Sequence, residues 1–215
     1  MLDTYNARAR RLLTDGAKQF WSDQELNDDI NQARCRIAAD SKCLRQLITN
    51  ITLPAMQELY PIVASVNSGT PPNLGARVVE VISVTIYWGN MRVRCRNLPF
   101  TEQDAKMRIF QNYLSRPGSV AMMGGNMVYL NPTPDHDYVS DWDVVVVPEP
   151  LLRDTDPEVI PVVFQPCVVY YAAHLAKYGE QSLSESNIFY QKYLLERQAA
   201  SYHFLAARVR DSYRR

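Results

Sequence analysis

Apolar residues recur at helical spacing at both ends of the chain and at strand spacing in between. Near the start, Tyr5, Ala9, Leu12 and Leu13 share one side of a predicted helix over 3–13. Arg8, Arg10 and Arg11 lie largely on the other side, and Asp15-Gly16 ends it. A second helix opens with a strong local signal, Trp21-Ser22-Asp23-Gln24-Glu25-Leu26. Ser22 is placed to cap, Glu25 to close the capping box, and Trp21 to staple onto Leu26. Asp23 and Glu25 also complement the positive end of the helix dipole. Leu26, Ile30, Ala33 and Ile37 carry the apolar face to about Ala39.

The period then changes. Leu47 to Leu53 alternates and is β-branched, which predicts a strand ended by Pro54, and a further extended piece surrounds Tyr60 to Val63. Ser68 to Asn73 is a loop by composition. Val78 to Trp88, Gly89-Asn90 and Met91 to Arg96 form a predicted hairpin whose second arm sets Arg92, Arg94 and Arg96 on one sheet face. A short helix from Thr101 to about Leu114 turns Met107, Phe110 and Leu114 inward, and Pro117-Gly118 breaks it. Strands over 126–130 and 139–147 follow. After Pro148-Glu149-Pro150, residues 157–178 read as helix, with Pro161 and Pro166 implying a staged start or a kink.

The last helix is predicted from Ser182 to Tyr213, and neither Pro nor Gly interrupts it. It has two apolar faces. Phe189, Tyr193, Ala200, Phe204 and Ala207 make the first. Ile188, Leu195, Ala199, Tyr202, Ala206, Val209 and Tyr213 make a second seam at alternating spacings of four and three, broken only by Lys192. A surface helix of a small monomer needs one apolar face, so a helix with two has something packed on both sides. Either it lies deep in its own domain, or the second seam belongs to a neighbouring subunit.

The layout is helices, a central β region, then helices. It predicts an α+β fold: residues 1–45 and 151–215 as a helical domain, and 46–150 as an inserted, mainly antiparallel β lobe. An apolar content of 47% and 23 basic against 23 acidic residues point to a folded chain. Zero net charge argues against free nucleic acid as the main partner. No apolar run is long enough to span a bilayer, the first residues lack the pattern of a signal peptide, and a membrane anchor is not expected.

Candidate chemistry is sparse, and no cofactor is expected. Cys35, Cys43, Cys95 and Cys167 fit no metal-ligand spacing and read as reduced thiols. Cys167 and His174 share a helix face about 10 Å apart, too far for a nucleophile and its base. Asp135, His136 and Asp137, near Asp141 and Asp143, are either a divalent-ion site or a solvated acidic turn. Gly124-Gly125-Asn126 reads as a tight turn more readily than as a phosphate loop. Charge is segregated: between Asp135 and Glu158 eight carboxylates face the single Arg153, whereas arginines collect at 8–11, at 92–96 and at the C-terminus. Such a split suits association in which unlike patches of neighbouring copies meet, with Arg92, Arg94 and Arg96 opposite Asp141 and Asp143.

Trp21 to Leu26 followed by Asp29-Ile30-Asn31-Gln32-Ala33 resembles the opening helix of phage head-to-tail adaptor (connector) proteins of short-tailed phages. Gln57 to Pro61 is similar to their first extended segment. Arg116-Pro117-Gly118-Ser119 and Val128 to Asp135 resemble their turn and a strand ending in Pro-x-Pro, and the order of elements is similar over nearly the whole chain. The resemblance implies a structural virion protein made in host cytoplasm and placed at the head–tail junction. Its copies would form a ring, dodecameric in such families, between the portal protein and a tail nozzle or tail-tube protein, prolonging the channel for genomic DNA. It further implies that the C-terminal Arg208, Arg210, Tyr213, Arg214 and Arg215 dock on the portal. A channel through which DNA slides should avoid tight phosphate pairing, which makes Asp135 and Asp137 candidates for its lining. A tail-completion or tail-tube protein, or a soluble enzyme with an unrecognised site, are the alternatives.

Overall fold

The computed structural model describes residues 1–62, 78–109, 113–123 and 127–205. Helices and sheets both contribute, as an α+β chain requires. Five α-helices and two four-stranded sheets occur among the described residues. The chain divides into two compact units, one of residues 1–44 with 147–215 and the other of residues 45–146.

The first unit is helical: α1 (Leu2–Leu13), α2 (Asp23–Ser41), α4 (Gln165–Gly179) and α5 (Leu183–Leu205). The capping box of α2 is complete, with Ser22 Oγ accepting from the Glu25 N–H and Glu25 accepting from the Ser22 N–H. Tyr5, Ala9, Leu26, Ile30, Ala33, Ile37, Phe164, Val168, Ala172 and Tyr193 lie in one core. Arg10, expected on the outer side of α1, is buried. Its guanidinium donates to Asp15 at 2.8 Å, Asp23 at 2.9 Å and the Trp21 carbonyl at 3.0 Å, and so closes the α1–α2 loop. The helix predicted from 157 begins later. A 3-10 turn (Val162–Phe164) precedes α4, and Pro166 sits in its first turn, where a missing N–H costs nothing.

The second unit holds β1 (Arg45–Leu53), β2 (Leu59–Pro61), β3 (Val78–Trp88), β4 (Met91–Arg94), β5 (Arg96–Asn97), α3 (Phe100–Ile109), β6 (Ser119–Met123), β7 (Met127–Asn131) and β8 (Tyr138–Val146). One sheet runs β1-β8-β3-β4, the other β2-β7-β6-β5; all pairings are antiparallel except β5 with β6. Ile51, Leu53, Val81, Val84, Ile86, Trp142 and Val144 of the first sheet share a core with Tyr60, Val120, Val128 and Leu130 of the second. Gly89 takes φ +56° at the β3–β4 turn, where a side chain would be strained. The Asn131–Pro132 peptide bond is cis. Leu114, expected inward on a longer α3, is instead exposed and bridges Thr133 beyond the helix end. Phe110, the Ser68–Asn73 loop and Gly124-Gly125-Asn126 lie outside the described residues.

Candidate interaction surfaces

The two sides of α5 meet different surroundings. Tyr193 is fully buried and Ala200 nearly so, with Phe189, Tyr190 and Leu194 packed against the same core. Tyr193 donates its hydroxyl to Asp40 at 2.8 Å, Arg197 reaches the same carboxylate at 2.9 Å, and Tyr171 meets the Tyr193 ring edge-on at 4.9 Å. This face is fixed by α2 and α4. On the other side Ile188, Leu195 and Tyr202 are 56%, 66% and 69% exposed, one every seven residues, and Ala199 is also exposed. Ile188 borders a cleft of about 260 Å³ with Leu12, Leu13 and Phe189. Ala206 and Val209 of the same seam lie outside the described residues, as do Arg208, Arg210, Tyr213, Arg214 and Arg215. The side chain of Phe204 is likewise outside them.

The arginine ladder is not one face of one strand. Arg92 and Arg94 are exposed on β4, opposite Tyr87 and Thr85, and Arg92 lies over the Tyr87 ring at 4.9 Å. Cys95 is buried, and its N–H bonds to the Val84 carbonyl at 2.8 Å. The chain then crosses to the other sheet, where the Arg96 N–H bonds to the Gly118 carbonyl at 2.8 Å. Arg96 is therefore exposed on β5, away from the ladder that carries Arg92 and Arg94.

The carboxylates proposed to meet those arginines across an interface are already engaged. Asp141 is buried on β8 and accepts the Tyr87 hydroxyl at 2.5 Å and the Asn50 N–H at 3.2 Å. Asn50 has φ +61° at a bulge in β1, so Asp141 stabilises an irregular strand from inside the lobe. Its hydrogen bond also raises the titration range of the Tyr87 phenol. Asp143 pairs with Arg45 on the adjacent β1. Both acids serve their own sheet. The period-two pattern marked them as one set but could not show which neighbours faced them.

Asp135 and Asp137 are exposed in the β7–β8 turn. Asp135 accepts the Tyr138 hydroxyl at 2.7 Å, which holds its carboxyl below the usual range; burial, then Asp135, push the Tyr138 phenol up to about 12. Asp137 accepts the Ala55 N–H at 2.8 Å. No cluster of three or more metal-ligating side chains occurs among the described residues. Burial pushes the Cys167 thiol up to about 12, and His174 Nδ1 is 2.7 Å from Ser186 Oγ, so these two side chains make no nucleophile–base pair. No described helix is long and apolar enough to cross a membrane.

Sequence reasoning missed the ion pair that ties the acidic run to the helical unit. Arg34, buried on α2, donates to Glu158 at 3.0 Å and to the Glu149 carbonyl at 2.7 Å. A lone Arg among the core-facing positions of α2, one after Ala33, was the available signal.

Comparison with known families places this arrangement. A family model spanning residues 2–215 matches the chain, and it describes structural phage adaptors. The chain belongs to that family, the SU10 adaptor proteins, and is a phage head-to-tail adaptor: a virion component that works with other head and tail proteins. Comparison with curated proteins finds no match.

Proposed function

We propose that copies of this chain assemble side by side into a ring, dodecameric as the resemblance implies, beneath the portal. The ring extends the DNA channel and offers its far side to a tail nozzle or tail-tube protein. The observation that carries this reading is the stripe of exposed Ile188, Leu195 and Tyr202, spaced seven residues apart, opposite the face of α5 that Tyr193 anchors in its own core. Aliphatic and aromatic side chains left in water at regular helical spacing gain most when a second helix covers them. Ala206 and Val209 would continue the contact. In a closed ring each copy uses two different surfaces, so the stripe meets another part of its neighbour rather than itself.

Arg92, Arg94 and Arg96 remain exposed cations available to a neighbour or to the nozzle, whereas Asp141 and Asp143 each have a partner within their own sheet. Asp135 and Asp137 are the proposed channel-facing carboxylates, since like charge keeps DNA phosphates from lodging. Arg208, Arg210, Tyr213, Arg214 and Arg215 are the proposed portal-docking segment, where an aromatic among guanidiniums has the composition of an interface. Negative-stain imaging of the chain mixed with its portal tests the reading. A second ring with an open centre stacked on the portal is expected, and isolated monomers beside bare portals would refute it. Truncation after Ala207 should abolish co-sedimentation with portal rings while leaving the fold intact.

A further inference from the structure

The β unit contains a cation without an ion-pair partner among the described residues. Arg116, on the stretch between α3 and β6, is half-buried, and its Nε is wholly buried with no hydrogen-bond partner. Among the described residues the guanidinium makes no hydrogen bond and no ion pair; its Cζ lies over the Trp88 ring, 4.5 Å from the centroid. A partly desolvated, unpaired guanidinium is costly, and such groups in folded proteins call for an explanation.

The surroundings supply one. Trp88, Ser115, Arg116, Asp135, His136 and Tyr138 line an open pocket of about 330 Å³ within this unit. Its parts are held in place. Ser115 N–H bonds to the Thr133 carbonyl at 3.0 Å, the His136 ring stacks on Tyr138 at 4.0 Å, and Asp135 accepts the Tyr138 hydroxyl while lying 3.0 Å from His136 Nδ1. Trp, Tyr and Arg around one concavity is the composition of protein-binding hot spots.

We infer that this pocket seats an acidic side chain of a protein partner, its carboxylate on Arg116 beside Trp88. A guanidinium presents its donors as a planar fork that matches a carboxylate, and the indole beside it keeps that fork partly dry. Asp135, in the same lining, can accept N–H groups, which a peptide backbone supplies and a nucleic-acid backbone does not. The occupant is thus an Asp- or Glu-bearing turn or strand of a protein. This inference stands apart from self-assembly through α5, because the pocket is complete within one copy, and it withdraws Asp135 from the channel lining proposed above, leaving Asp137 there.

The full-length chain carrying 5-fluorotryptophan tests it by fluorine NMR, the Trp88 signal being assigned from Trp88→Phe. The probes are the blocked tripeptide acetyl-Gly-Asp-Gly-amide, its Asn counterpart, inorganic phosphate and oligothymidylate. The Asp peptide should shift the Trp88 signal saturably in the millimolar range, as a ligand of few atoms does, and leave Trp21 and Trp142 unmoved. Affinity should fall roughly tenfold or more for the Asn peptide and for Arg116→Gln, whose unchanged Trp21 and Trp142 signals report an intact fold. Equal response to the two peptides, no response at Trp88, or a stronger response to phosphate or oligothymidylate would each overturn the inference.

Discussion

Arg34 and Glu158 meet in a bidentate ion pair whose side chains are 1% and 4% exposed, 124 residues apart in the chain. The guanidinium also holds the Glu149 carbonyl and Asn31, and Asn31 in turn bonds the Leu151 backbone in both directions. A segment with little regular structure is thereby clamped to α2. Glu158→Gln should destabilise the chain by about 3–5 kcal/mol, because it strands a buried cation. Arg34→Met combined with Glu158→Leu should recover much of that loss. Urea unfolding of Arg34→Met, of Glu158→Leu and of the double variant measures the coupling.

Asp141 is expected to behave as a structural group. Asp141→Ala leaves the Tyr87 hydroxyl and the Asn50 N–H without their acceptor and should cost about 1–3 kcal/mol. Asp141→Arg should unfold the β unit outright, and it should not rescue an assembly defect caused by Arg94→Glu. Circular dichroism of the Asp141→Arg chain decides between a structural and an intermolecular role.

Asp29 sits half-buried on α2. Burial first, then Asp28 and Glu25, push its carboxyl up to about 6. This folded value lies above the unfolded one of about 4. Between the two the folded chain holds a proton that the unfolded chain has released, so stability falls as pH rises through that window. Asp29→Asn should stabilise the chain at pH 7 by on the order of 1–2 kcal/mol, allowing for its partial exposure, and the gain should vanish near pH 4. Denaturation midpoints at pH 4, 5.5 and 7 would show that trend.

Local signals carried most of the secondary structure. The Ser22–Glu25 box and the i, i+4, i+7 apolar positions of α2 are legible because they depend only on neighbours within two turns. The β3–β4 hairpin is legible for the same reason. β6 is not. Val120 and Ala121 are both buried, since one face of the strand meets the shared core and α3 packs against β6, so no alternation survives to be read. Gln103 of α3 is itself buried, 2.9 Å from Ser119 on β6. Partners distant in sequence were hidden altogether: Arg34 with Glu158, Tyr87 with Asp141, and Arg116 over Trp88 each depend on tertiary folding. The switch of sheets at Cys95 was equally invisible, because one buried residue inside an Arg-x-Arg alternation looks like a continuing strand.

The α5 stripe is tested most directly by mass photometry of the chain mixed with portal rings, comparing wild type with Leu195→Asp/Tyr202→Asp and with Tyr193→Asp. The account predicts that wild type adds the mass of a full ring to each portal. The exposed-face variant should stay folded by circular dichroism, with an unchanged unfolding midpoint, yet fail to build the ring, whereas Tyr193→Asp should lose its fold. A Leu195→Asp/Tyr202→Asp chain that loads onto portals as wild type does, or that unfolds as Tyr193→Asp does, would contradict the claim that this stripe joins one subunit to the next.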